Sequence, residues 1–137
     1  MPLQVSESTF FTAGVLLLTV VAVESGGLYM LALVRRRVAA TPFQITFARA
    51  GHAHAGVLVV LSLIVQLYVD AAALTGLVGA IARNGIPLAA ILMPAGFFFS
   101  SAGKGRTDPN AAIWLVYAGA ASLAAGAIAL GVGLLTA

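Results

Sequence analysis

Residues 41–69 read TPFQITFARAGHAHAGVLVVLSLIVQLYV, and this stretch decides the fold class of the chain. Thr41 is predicted to cap a helix that starts at Pro42, and Gln44 completes a capping box with Thr41. The apolar run that follows exceeds the roughly 20 residues needed to cross a bilayer, and Asp70 ends it. The stretch therefore predicts a membrane-spanning helix that contains an arginine and both histidines of the chain. Ionisable side chains are costly inside a membrane, so this cluster is the first candidate for a functional site.

The composition extends this interpretation to the whole chain. Its 137 residues are 61% hydrophobic and only 8% charged, and a soluble domain of this length could not bury so much apolar surface. We therefore expect an integral, multi-pass protein of the cell (inner) membrane, surrounded by the lipid bilayer. The net charge of +3 does not indicate a nucleic-acid partner, because the basic residues cluster at the ends of spans. The absence of cysteine excludes thiolate metal ligands and iron–sulfur clusters.

The hydropathy pattern predicts four spans in a single all-α domain, a membrane four-helix bundle covering residues 1–137. The spans are expected at about 9–34, 42–69, 86–102 and 109–135. Residues 71–82 allow two interpretations. In the preferred one they form a short outer helix, and the turn-forming stretch 83–85 separates it from a span that starts near Pro87. In the other, residues 74–102 form one long helix and Arg83 lies inside the membrane.

The basic residues predict the orientation of the spans. Six of the seven fall on one side of the predicted membrane: Arg35, Arg36, Arg37, Arg49, Lys104 and Arg106. Only Arg83 falls on the other side. Because basic residues concentrate in cytoplasmic loops, both termini are predicted to face outward.

Small residues concentrate in the last span, and they favour close packing of helices in a membrane. They are Gly119, Ala120, Ala121, Ala124, Ala125, Gly126, Ala127, Gly131 and Gly133. This stripe predicts a tight bundle and a homo-oligomer.

His52 and His54 are the strongest candidates for ligands. Two residues on a helix are separated by about 200° of rotation, so the two imidazoles should point to nearly opposite faces. Imidazole is a natural ligand of haem iron, copper and zinc. The small neighbours of the histidines leave room for a flat macrocycle, so haem b is the expected cofactor, with copper or zinc as the alternative. The structural alternative is that the histidines only form hydrogen bonds between helices.

Two charged residues extend the candidate site. Arg49 lies one turn before His52 and could pair with haem propionates, or it could extend to the inner headgroups. Glu24 lies about 15 Å from the inner end of the first span, close in depth to both histidines. It is therefore a candidate metal ligand, or a proton relay beside an imidazole. The alternative is a structural ion pair with Arg49 or Arg83.

The segment Gly51-His52-Ala53-His54-Ala55-Gly56, on the second of four predicted helices, resembles a four-helix unit of the haem-copper oxidase catalytic subunits. In that family, histidines on the second helix of each unit bind haem or copper, and one such helix carries a His-x-His pattern that serves two centres. The resemblance implies that His52 and His54 are haem or metal ligands.

These observations lead to a membrane haem- or metal-binding protein with a role in electron transfer, sensing or cofactor handling, working with a redox partner. A small transporter or proton-coupled carrier using Glu24, Arg49 and the histidines is the alternative from another class. A third hypothesis is an accessory subunit of a larger membrane complex. The sequence contains no motif that decides whether the protein is an enzyme.

Overall fold

The computed structural model describes residues 4–137 and consists of four long helices. They are α1 (Glu7–Val34), α2 (Pro42–Ala71), α3 (Gly76–Ser100) and α4 (Trp114–Thr136), and a 3₁₀ turn (Ala111–Ile113) precedes α4. Each helix, taken with the turn before α4, is long and apolar enough to cross a membrane. The predicted all-α fold with four spans is confirmed.

Local capping explains where the first two helices begin. The Ser6 side chain accepts a hydrogen bond from the Thr9 amide at the start of α1. At the start of α2, Thr41 and Gln44 form the predicted capping box. The Gln44 amide group also donates to the carbonyl oxygens of Ser101 at 3.0 Å and Gly103 at 2.7 Å, which ties this end of α2 to the loop after α3.

The helices are arranged as an open arc. Each packs against the next in the chain, and α2 also touches α4 lightly. Within the described residues, α1 packs along α2 and not along α3 or α4, and the side chain of Arg83 on α3 donates a hydrogen bond to Thr9 of α1. The buried core accordingly lies among α2, α3 and α4. It consists of Leu58, Val65, Val69, Ala82, Ile86, Ala89, Met93 and Leu130.

The interface between α3 and α4 depends on glycine. A Cβ atom on Gly85 would lie 2.7 Å from the Cα of Gly126, and one on Gly133 would lie 2.6 Å from the side chain of Leu74. Gly119 faces Met93 in the same way, at 2.5 Å. Gly119, Gly126 and Gly133 are therefore buried against the chain's own residues, whereas Gly131 and the alanines of the stripe are exposed. The homo-oligomer stays a prediction.

The segment between the second and third spans differs from the preferred prediction. Residues 76–100 form one helix. The prediction of a separate short outer helix is therefore wrong, and the alternative prediction of a single long helix is confirmed. Pro87 lies inside this helix instead of at its start. The helix continues through Arg83 because other helices satisfy its guanidinium, as described below. The fourth helix begins at Trp114, later than the predicted 109.

Candidate functional site

His52 projects from α2 onto two glycines of α1. A Cβ atom on Gly26 would lie 3.2 Å from Nδ1 of His52, and one on Gly27 would lie 3.6 Å from Cε1. A Cβ atom at Gly26 would therefore press on the ring, whereas one at Gly27 would be in ordinary van der Waals contact with it. Gly26 in particular makes room for this imidazole.

The same imidazole lies at one end of an apolar cleft of about 310 Å³, which we call the His52 cleft. The cleft exists because α1 and α3 both pack on α2 but leave a gap between each other. It is lined by Thr12, Val15, Leu16, Thr19, Ala22, Val23, Gly26, His52, Ala55, Val59, Pro87, Ala90, Ile91 and Phe98. From Thr12 to Gly26 the lining extends about 21 Å along α1, at 1.5 Å per residue. His52 is its one ionisable side chain.

His54 points elsewhere. Its Nδ1 lies 2.7 Å from the carbonyl oxygen of Ala50, and its ring centroid lies 5.1 Å from that of Phe97 on α3. A carbonyl oxygen only accepts, so Nδ1 is the donor of this hydrogen bond. The prediction that the two histidines face different ways is confirmed, and His54 does not line the His52 cleft.

The two charged residues proposed from the sequence lie outside the cleft. Arg49 is exposed and is not among the residues that line the cleft. Glu24 is exposed as well and does not line the cleft, so its role as a metal ligand or proton relay stays a prediction. Glu24 is exposed because α1 packs only on α2. Gly26 and Gly27 face α2, and Glu24 lies on the flank of α1. Between residues 4 and 137 the structure assembles no group of three or more His, Asp or Glu side chains that could hold a metal ion.

A second polar cluster was missed by the sequence reasoning. The guanidinium of Arg83 pairs with Oδ1 of Asp70 at 2.6 Å and donates to Oε1 of Gln66 at 3.0 Å and to the hydroxyl of Thr9. Asp70 also accepts from the Ser6 amide at 2.8 Å, at the start of α1. The cluster fastens three helices together at the end of the bundle opposite the arginine run 35–37. Gln66 and Asp70, four residues apart and both polar in an apolar helix, were the signal in the sequence.

No protein-family model, curated protein or solved structure matches this chain. Function is therefore inferred from the His52 cleft and the residues around it.

Proposed function

We propose that this protein binds haem b within the membrane, with His52 as an axial ligand and the His52 cleft as the site. One observation carries the proposal: an imidazole without a hydrogen-bond partner in residues 4–137 borders an apolar cleft inside a membrane helix bundle. A neutral imidazole with a free ring nitrogen is the form that ligates iron. Haem b also suits a chain without cysteine, because it needs no thioether attachment.

The lining of the cleft fits a flat, apolar macrocycle. Gly26 and the alanines at 22, 55 and 90 are small and leave space for the macrocycle, and Phe98 contributes an aromatic ring to the lining. The cleft is only partly enclosed, so a ligand larger than its volume can extend beyond it. Binding pockets for large cofactors are commonly apolar with a few well-placed polar groups, and His52 would be that group here.

The residues at the cleft would have different roles in binding haem. His52 would hold the iron, the Gly26-Gly27 step fixes the position of its ring, and Leu16 and Val59 keep water out. Bound haem would supply one-electron transfer or the binding of a small gas. Arg49 does not line the cleft, so the pairing of its guanidinium with propionates is not part of the proposal. A copper or zinc site would need ligands from outside one chain, because His52, His54 and Glu24 are not brought together.

Absorption spectroscopy of the purified protein tests the proposal. Protein from haem-replete cells, or protein titrated with hemin, should show an intense Soret band that shifts on reduction. A colourless preparation that hemin does not change would refute it.

A second candidate ligand is favoured by the length of the cleft. A lining that extends about 21 Å along α1 also matches a linear apolar chain, such as the tail of an isoprenoid or an acyl lipid. Native mass spectrometry of the gently solubilised protein separates the two, because a retained lipid and a retained haem differ in mass. A charged transport substrate fits the cleft less well than an apolar ligand, since His52 is the one ionisable side chain among the lining residues.

A further inference from the structure

Glu24 occupies an unusual position for a carboxylate. It lies ten residues from the end of α1 at Val34, about 15 Å into the helix, and its side chain is exposed. Within residues 4–137 it has neither an ion pair nor a hydrogen bond to a side chain. An ionisable group that faces lipid at this depth is costly, and such groups nearly always face a protein partner or a cavity.

Arg49 has the matching properties. It lies seven residues into α2, about 10 Å from the start of the helix at the same end of the bundle, and it is also exposed without an ion pair in the described chain. The difference in depth between the two residues is about 5 Å, which a flexible arginine side chain can bridge.

Helical periodicity places both residues on the side of the α1–α2 pair that carries one shallow groove. His52, Ala53, Gly56, Val57 and Val60 line it on α2, and we call it the Ala53 groove. Arg49, Ala53 and Val57 follow each other at intervals of four residues, so they form one ridge along this face. On α1, Glu24 is one turn from Gly27, which faces the His52 ring. Gly26 and Ala22, by contrast, line the His52 cleft on the other side.

We propose that the Ala53 groove and the adjoining flank of α1 form an interface with a second copy of this chain. A two-fold axis along the membrane normal would place Glu24 of each copy beside Arg49 of the other. Each chain carries both charges on one face at similar depth, so a two-fold contact pairs all four side chains. Ala53 and Gly56 let the helices approach closely, as small residues do in membrane interfaces.

The interface does not depend on haem. Of the residues that line the groove, only His52 also lines the His52 cleft, and the variants below leave His52 unchanged. Its failure is therefore distinguishable from a failure of the proposed function.

Exchanging the charges tests the proposal. Glu24→Arg places two arginines at each pair of a homodimer, and Arg49→Glu places two acids there, so each variant alone should lose self-association. When the two variants are co-expressed with different tags, every pair in the mixed dimer is again opposite in sign. The two variants should therefore co-purify in mild detergent. Glu7→Arg makes the same change of charge at the exposed start of α1 and should associate like the wild type.

Neutral substitutions at the same two positions test the pair with less risk of misfolding than the charge exchanges. Glu24→Gln and Arg49→Gln should each weaken self-association about ten- to a thousand-fold, because each removes both pairs of the two-fold dimer and one interhelical polar contact in a membrane contributes about three- to thirty-fold. Native mass spectrometry and crosslinking in bilayers give the readout. A monomeric wild type would overturn the proposal. So would charge-exchanged variants that fold, bind no partner when mixed, and regain thermal stability only when both changes are in one chain, because that result identifies a pair within the chain.

Discussion

Asp70 and Arg83 join α2 to α3 through a 2.6 Å ion pair, with the side chains only 5% and 17% exposed respectively. Asp70 also accepts two hydrogen bonds from Ser6, through the amide at 2.8 Å and the hydroxyl at 3.0 Å. One carboxylate therefore holds the start of α1, the end of α2 and the first turns of α3.

Removing this carboxylate should destabilise the fold. We expect Asp70→Ala to cost about 3–5 kcal/mol, because it leaves the charge of Arg83 buried without its partner. Thermal unfolding in detergent measures the effect. Asp108→Ala, in the exposed loop before α4, should change stability by less than about 0.5 kcal/mol. Replacing both members of the pair, as Asp70→Leu with Arg83→Met, should recover much of the loss. Equal stability of Asp70→Ala and the wild type would contradict the assigned role.

The two histidines should differ as haem ligands. His52→Ala should remove most of the Soret absorbance, because His52 lines the cleft. His54→Ala should retain it with at most a small shift, since its ring packs on Phe97 outside the cleft. Hemin titration followed by absorption gives the comparison at matched protein concentration. The reverse order of effects would move the site to the other face of α2.

A larger side chain at Gly26 should close the His52 cleft while the proposed ligand, His52, remains in place. A leucine at Gly26 would extend beyond a Cβ atom that already lies 3.2 Å from His52, so haem occupancy should fall. Gly14→Leu is the matched control, because nothing lies within 4 Å of a Cβ atom at that position. Occupancy by haem per protein, measured by the pyridine haemochrome assay, decides the outcome. If both variants bound as much haem as the wild type, the cleft would not be the site.

The α3–α4 contact makes a prediction about packing. Gly126→Leu should destabilise the protein by about 1–3 kcal/mol or more, because a Cβ atom there would lie 3.0 Å from the Cα of Gly85. Gly131→Leu, with open space around its position, should be close to neutral. Unfolding temperatures of the two variants should separate accordingly. Similar values for both would show that the close approach of the two helices is not needed.

The orientation in the membrane is tested by labelling. A cysteine introduced at Ser6 should react with an impermeant maleimide on intact cells, and one at Gly105 should react only after permeabilisation. Six of the seven basic residues lie on the Gly105 side of the predicted spans, which is the basis for placing both termini outside. The opposite labelling pattern would invert the topology.

Local signals in the sequence were sufficient for the start of α2 and for the direction of the histidines. The Thr41 capping box depends on residues within one turn, and the opposed faces of His52 and His54 follow from helical periodicity alone. Glu24 and Arg83 could not be placed in this way. Whether a charged residue faces a neighbour depends on helices distant in the chain. Arg83 is satisfied by Thr9, 74 residues away, whereas α1 packs on α2 alone and leaves Glu24 uncovered.

The arc of helices has a consequence for how the chain enters the membrane during synthesis. Each of the first three helices has its main packing partner in the helix that follows it, so a newly inserted span needs to wait only for the next one. Chains are made from the N-terminus, and contacts between sequence neighbours close the shortest loops, which favours rapid folding. The fold can therefore be completed in the order of translation, with no early helix held apart for a late one. The fastening of Arg83 to Thr9 and Asp70 then completes the first three helices as soon as α3 is inserted.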